Sequence, residues 1–523
     1  MDDLLARLII WILKSVLRLL LAIARVVFRL PSPPAREAAI PTAKRVRAPA
    51  TKAISGRRAP ALERAAVDQA GAELRALATR AGALEARCAA APLGAPLLPT
   101  LRRHVLPRLE AATGDLRRAS TPQELARVRS TRAALDALVT FFERMADQRR
   151  DDAYAELIDD ADALADACYA PVLAYCRANA VPLSSDRAAT VFGDDCSPAL
   201  RRLDDPTGLA ILCLPWSWLS ELPRWTAIGH EVGHDFYESV PGLDAEVLRR
   251  HDLVDAAKDP RVLDGRAGVS QDDVDRLVAR WRRELLADAF GVMMLGPAYV
   301  EATLAIFARP ERPLEALAVD VDDSGATYEV HPPGHVRAVA ACRLLARMGY
   351  GQVGVALEER WRARHGEPAG ILLPVPEGWL RVTDEPFLER AVALTASLYQ
   401  EGFAALRGIP LASMPGFDFG PREHEAALRA RDALLSGARP PVTDARLLIA
   451  GAVLASLERP QDGVRLLAAA RRAVGSLPLR VPGVEGAAAA SSRAELVRDA
   501  FLLDVLLAPP VALRARRGGA RVA

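Results

Sequence analysis

Two short stretches constrain this chain more than anything else in it: His230-Glu231-Val232-Gly233-His234 and Glu284-Leu285-Leu286-Ala287-Asp288. Both have helical composition. In each, the chemically matched side chains stand four residues apart, which puts them on one face of a helix. His230 and His234 then point two imidazoles the same way, and Glu284 and Asp288 two carboxylates. Ala287 is small enough to let the second helix come close to the first. A chain carrying this pair is expected to fold so that the two helices pack with those faces together.

The chemistry of such a meeting is specific. Two imidazoles at i and i+4 can bind one metal ion. Glu231 sits about a quarter turn round, beside the metal rather than on it. Zinc lowers the pKa of its water to about 7, and a nearby carboxylate can then take the proton at neutral pH. Gly233 is expected to leave room against the metal. A catalytic zinc needs three protein ligands and an open position. The extended pattern HExxHxxGxxH is excluded, because the chain has Tyr237 and Val240 where it needs glycine and histidine. Glu284 is the better third ligand, with His251 competing. Asp288 can accept the spare N–H of a ligand histidine and fix its tautomer, and Asp235 is its rival. Upstream, Gly208–Leu214 reads as a short buried or edge strand that could take an extended peptide by strand addition, and Pro223 marks the start of the histidine helix.

HExxH followed by ExxAD resembles the gluzincin metallopeptidases, and within them the CAAX prenyl protease and heat-shock membrane protease group. His331-Pro-Pro-Gly-His-Val-Arg337 is similar to a His-Pro stretch ending in arginine that follows the glutamate helix in that group. The resemblance implies that His331 or Arg337 contacts substrate or the oxyanion, and His335 could stand in for His331. It covers residues 206–345 only, and it implies a zincin-like α+β core of a small sheet plus active-site helices. The group embeds its site among membrane-spanning helices, which this chain lacks around the motif, so the substrate does not carry over. Trp281 with Gly296-Pro-Ala-Tyr299 is also similar to uncharacterised bacterial zincin-like proteins.

Composition bounds the rest. The chain of 523 residues is 51% hydrophobic but only 5% aromatic, rich in Ala, Leu and Val, which favours a mainly α fold. A net charge of +2 gives no nucleic-acid signal. Six cysteines without CxxC spacing read as buried small residues in a reducing compartment. Leu4–Leu30 is apolar but interrupted by Arg7, Lys14, Arg18, Arg25 and Arg29, which share one helical stripe. That predicts residues 1–30 to be a basic amphipathic helix on a membrane surface. Residues 31–60 form a Pro/Arg-rich linker, polybasic enough to favour an anionic face. A helical domain is expected over 61–205, opened in part by the capping box Thr121-Pro-Gln-Glu124, with the acidic face Asp159, Asp160, Asp162 and Asp166 solvated. The core follows at 206–345, then a helical domain at 346–513 and a basic tail at 514–523.

These features point to a zinc-dependent metallopeptidase acting on a peptide or protein, cytoplasmic and peripheral to the inner face of the membrane. Glu231 would be the general base, and His331, Arg337 or a tyrosine such as Tyr237 would hold the oxyanion. The alternatives are an inactive zinc-stabilised scaffold or a membrane-associated interaction protein.

Overall fold

The computed structural model describes residues 64–90 and 97–477, save short loop stretches at 184, 194–198, 202–207, 216–217, 219, 259–261, 264–267, 309–312, 317, 322–324, 366–369 and 377. The expected surface helix at 1–30, the linker at 31–60 and the tail at 514–523 lie outside the described residues. Two compact units divide the chain at Ala59 and Pro60, and every described residue belongs to the second.

Helices dominate this unit. Three long ones come first: α1 (Arg64–Ala90), α2 (Leu106–Arg118, entered through a π-helical turn at Leu101–Val105) and α3 (Pro122–Gln148). The capping box at the start of α3 forms as expected. Thr121 Oγ1 accepts from the Glu124 amide at 3.2 Å, and Glu124 Oε2 accepts from the Thr121 amide at 3.0 Å. Helix α4 (Asp152–Ala178) leads into a three-stranded sheet of β1 (Ser185–Phe192), β2 (Ala199–Arg201) and β3 (Gly208–Leu214), ordered β1-β3-β2, with β1 parallel and β2 antiparallel to β3. The expected strand at Gly208–Leu214 is therefore present but central. Paired on both sides, it cannot itself accept an added strand.

The sheet explains why one boundary drawn from sequence does not appear. Alternate residues of β1 and β3 serve two hydrophobic clusters. Ala189, Val191, Leu209, Ile211 and Cys213 pack against α1–α3. Ala188, Phe192, Ala210, Leu212 and Leu214 pack into the larger core, which also takes in α4 and the helices downstream. A strand buried on both faces reads as a continuous apolar run, and the first two strands lie before residue 206, inside the expected helical domain.

The outer edge of β1 is closed by side chains. Gln148 Nε2 donates to the Phe192 carbonyl at 2.5 Å, and its Oε1 accepts from the Phe192 amide at 2.9 Å. Asp162 accepts from the Thr190 amide at 2.6 Å, while Arg149 donates to the Thr190 carbonyl and to Asp162, each at 2.6 Å. Unpaired strand edges invite pairing with other chains, and this one is covered. It also corrects the reading of a solvated acidic face on α4. Asp162 is held by buried Arg149, and Asp160 is buried against Arg471 at 2.7 Å.

The remaining helices are α5 (Ala227–Ser239), α6 (Leu243–Arg250), α7 (Gln271–Leu295), α8 (Pro297–Phe307), α9 (Gly334–Leu345), α10 (Gly351–His365), α11 (Glu385–Gln400), α12 (Pro421–Ser436), α13 (Ala445–Glu458) and α14 (Gly463–Val474), with two hairpins, β4–β5 (Ala318–Val321, Gly325–Tyr328) and β6–β7 (Ile371–Val375, Gly378–Val382). Of the cysteines, Cys88, Cys168, Cys176 and Cys342 are free and buried. Cys213 is disulfide-bonded, so it departs from the expectation of reduced packing residues throughout. Among the described residues no helix is long and apolar enough to cross a membrane.

Candidate metal centre

Helices α5 and α7 meet through small residues. A Cβ on Gly233 would stand 2.8 Å from Phe290 Cβ and 3.0 Å from Ala287 Cα, and one on Gly229 would stand 3.3 Å from Leu295 Cδ1 and 3.8 Å from Gly291 Cα. Gly229 and Gly233 on one helix thus face Ala287 and Gly291 on the other, each pair four residues apart. Gly233 serves the helix crossing, and not the room beside a metal that its place in the motif suggested. Ala287 does what its size suggested.

The crossing brings the anticipated ligands together. His230 Nε2 and His234 Nε2 are 3.1 Å apart, His230 Nε2 is 3.4 Å from Glu284 Oε2, and His234 Nε2 is 3.3 Å from Glu284 Oε1. The two carboxylate oxygens of Glu284 each face one imidazole, and one ligand atom from each of the three residues lies within 4.8 Å of the other two. Among the described residues, these three form the group that could hold a metal ion. Donor accounting agrees. Asp288 Oδ1 lies 2.9 Å from His230 Nδ1, so in the neutral ring that nitrogen carries the proton and Nε2 keeps its lone pair. Two imidazole nitrogens and a carboxylate oxygen then converge with too few protons among them, and a cation at their centre satisfies all three.

When no ion is bound, a proton can take its place. Burial opposes charge on His230, but its bonds to Asp288 and Glu284 prevail and lift it to about 10. Burial keeps His234 below its ordinary value. Burial would raise Glu284, yet His230, His234 and Arg337 hold it well below the usual carboxylate range. Asp288 is held down against burial by Arg337 and His230. A proton on His230 and a metal ion compete for the same lone pair.

Behind His230 the support is dense. Arg337 Nε and Nη2 donate to the two oxygens of Asp288 at 2.7 Å each, and Nη1 lies 3.4 Å from Glu284 Oε2. Its guanidinium also stacks over Phe307 at 4.8 Å. Arg337 therefore sits behind the ligands, committed to Asp288, and not at an oxyanion position as expected. His331 is different. It is half exposed, with Nε2 3.6 Å from Glu284 Oε1 and Nδ1 3.5 Å from Glu329. Glu231 is buried on α5 next to His230.

The other candidates lie elsewhere. His251 Nε2 faces Ser397 Oγ at 2.8 Å, Tyr237 donates to Asp244 at 2.6 Å, and Asp235 pairs with Ser239. His335 is buried against Asp384 and Trp361. Sequence reasoning named Tyr299 only within a resemblance and gave it no role; its hydroxyl donates to Asp288 Oδ1 at 2.6 Å and lies 3.4 Å from His230 Nδ1. The available signal was Gly296-Pro297. Gly296 ends α7 at φ +56°, where a Cβ would strike Phe419, and Pro297 starts α8 at once. That turn brings the ring of Tyr299 back against the backbone of Gly291.

No family model, no curated protein and no solved structure matches this chain.

Proposed function

We propose that this protein is a zinc-dependent peptidase with a zincin-like core, in which His230, His234 and Glu284 hold the ion. The observation that carries the reading is the convergence of two imidazole nitrogens and one carboxylate within 4.8 Å of one another, with a glutamate directly after the first histidine on α5. A purely structural zinc is commonly closed by four protein ligands, whereas this group offers three.

Bound there, zinc would supply Lewis acidity to a water and to a substrate carbonyl. Glu231 takes the proton from the attacking water and later passes it to the leaving amine. His331, on the exposed side, donates to the oxygen of the substrate carbonyl as negative charge develops on it. Asp288 fixes the ring of His230, and Arg337 keeps Asp288 ionised and in place. The edge of β1 is taken up by Gln148, Arg149 and Asp162, which leaves β2, among the described residues, as the free edge of this sheet for an extended peptide. The basic stripe of residues 4–30 and the polybasic segment to 58 support a location at an anionic membrane face.

Glu231→Gln tests the reading. It should retain one metal ion per chain and hydrolyse a dye-labelled unfolded protein about 10²–10⁴-fold more slowly than the parent. Equal turnover by the variant, or a zinc-loaded parent with no hydrolysis of any peptide in a diverse mixture, would refute it.

A further inference from the structure

We propose that Tyr299 is a positioning residue for the metal centre: its hydroxyl, with Arg337, fills the carboxylate of Asp288 so that His230 keeps its proton on Nδ1 and presents Nε2 to the ion. This rests on the proposed metal site and not on peptide hydrolysis.

Donors and acceptors around Asp288 leave little freedom. The ionised carboxylate only accepts hydrogen bonds, and Arg337 only donates them. Oδ2 takes Arg337 Nε at 2.7 Å, and Oδ1 takes Arg337 Nη2 at 2.7 Å and Tyr299 Oη at 2.6 Å. The remaining approach to Oδ1 is His230 Nδ1 at 2.9 Å. Both Arg337 Nη2 and Tyr299 Oη also lie 3.4 Å from His230 Nδ1. Were they free, either could donate to that nitrogen and leave the ring with its proton on Nε2, where it would block the metal. The much shorter bonds to Asp288 draw both donors away. Tyr299 therefore anchors the acceptor that His230 needs without itself competing for Nδ1.

The surroundings are built for this hydroxyl. Tyr299 is buried, and the side chain of Thr303, one turn further along α8, acts on its hydroxyl. The ring lies on the bare backbone of Gly291, one turn beyond Ala287 on the ligand helix, where a Cβ would reach within 2.2 Å of it. Glycine at 291 is required by close approach, since the helix itself would prefer alanine. Burial and the charge of Asp288 keep the phenol well above its ordinary pKa, protonated as a donor must be.

Tyr299→Phe keeps the ring on Gly291 and removes only the hydroxyl. Affinity for cobalt(II) and zinc, measured by chelator competition on the purified full chain, should fall about tenfold, within the range seen when outer partners of metal ligands are lost. The visible absorption bands of the cobalt-loaded protein should shift, because the His230 ring is no longer held at one angle. Tyr175→Phe is the control. It also loses a buried hydroxyl, one that donates to the Leu406 carbonyl, and should leave both readouts unchanged. Affinity and spectrum equal to the parent's in Tyr299→Phe would overturn the proposal, as would an equal loss in Tyr175→Phe. Should Tyr299→Phe fail to fold, Tyr299→His, which keeps an aromatic ring but cannot place a hydroxyl on Asp288, should weaken metal binding severalfold. Unchanged affinity there would then count against the clamp. A parent that binds metal but cleaves nothing would remove the peptidase reading and leave this one standing.

Discussion

Two histidines of this protein are built into nearly the same surroundings, and they end in different roles. His230 has a carboxylate at Nδ1, Asp288; an arginine on that carboxylate, Arg337; and an aromatic donor, Tyr299. His335 has a carboxylate at Nε2, Asp384 at 2.7 Å; an arginine near that carboxylate, Arg362 at 3.3 Å; and an aromatic donor, Trp361, whose Nε1–H reaches Nδ1 at 2.9 Å. His335 and Arg337 even share helix α9. The difference lies in the last nitrogen. Indole N–H only donates, so Nδ1 of His335 accepts and its Nε2 carries the proton to Asp384. Both ring nitrogens are then used within the protein. In His230 the aromatic donor goes to the carboxylate instead, and Nε2 is left facing His234 and Glu284. A histidine with both nitrogens satisfied is a packing residue; one with a lone pair aimed at two other candidate ligands can hold a metal ion.

The comparison breaks most visibly at Glu284. Glu284→Ala removes the third ligand, and purified protein should contain no stoichiometric metal by mass spectrometry. The same measurement on His335→Ala should still give one ion per chain. Metal retained in full by Glu284→Ala would mean that the group of His230, His234 and Glu284 is not the binding site. The closed cluster should respond in stability instead. His335→Ala strands the Asp384 carboxylate and the Trp361 N–H. Two buried partners at about 1–3 kcal/mol each amount to about 3 kcal/mol once some rearrangement is allowed, read as a lower urea midpoint at constant slope. A metal-free His335→Ala as stable as the parent would show that the cluster holds nothing together.

Sequence patterns reached one of these histidines and not the other for a physical reason. Four-residue spacing is local, and it placed His230 with His234 and Glu284 with Asp288 on shared faces. The approach of the two faces was also foreshadowed, because Ala287 is small. His331 and His335 look alike in His331-Pro-Pro-Gly-His335. Which of them faces the site depends on the turn into α9 and on Trp361 and Asp384, which come from elements far along the chain. Tyr299 escaped because its contact is made by a reversal at Gly296. The α4 acids escaped because amphipathic periodicity cannot foresee that Arg471, 311 residues on, arrives to cover Asp160. Strand β1 carries no alternation to detect, being buried on both faces by two different cores.

The smallest effect is the one most particular to the closed histidine. Burial holds the pKa of His335 below its ordinary value, so the folded protein binds this proton less readily than the unfolded chain does. Below about pH 6.5, where free histidine takes up a proton, the unfolded state therefore gains relative to the folded one. The contribution of His335 is complete above that pH and fades as the pH falls through it. Other partly buried histidines, among them His251 and His424, shift the same way, so the parent's total slope does not isolate one residue. The difference between parent and His335→Gln does. The glutamine amide can still donate to Asp384 but does not titrate, so the variant's unfolding free energy should fall less steeply between about pH 7 and 5. The two curves, measured by urea unfolding at each pH in chelator, should approach one another as the pH is lowered. Parallel curves would mean that folded His335 takes up its proton as readily as the unfolded chain does, so that Asp384 and Trp361 do not hold the ring in one neutral form, and the contrast with His230 would lose its basis.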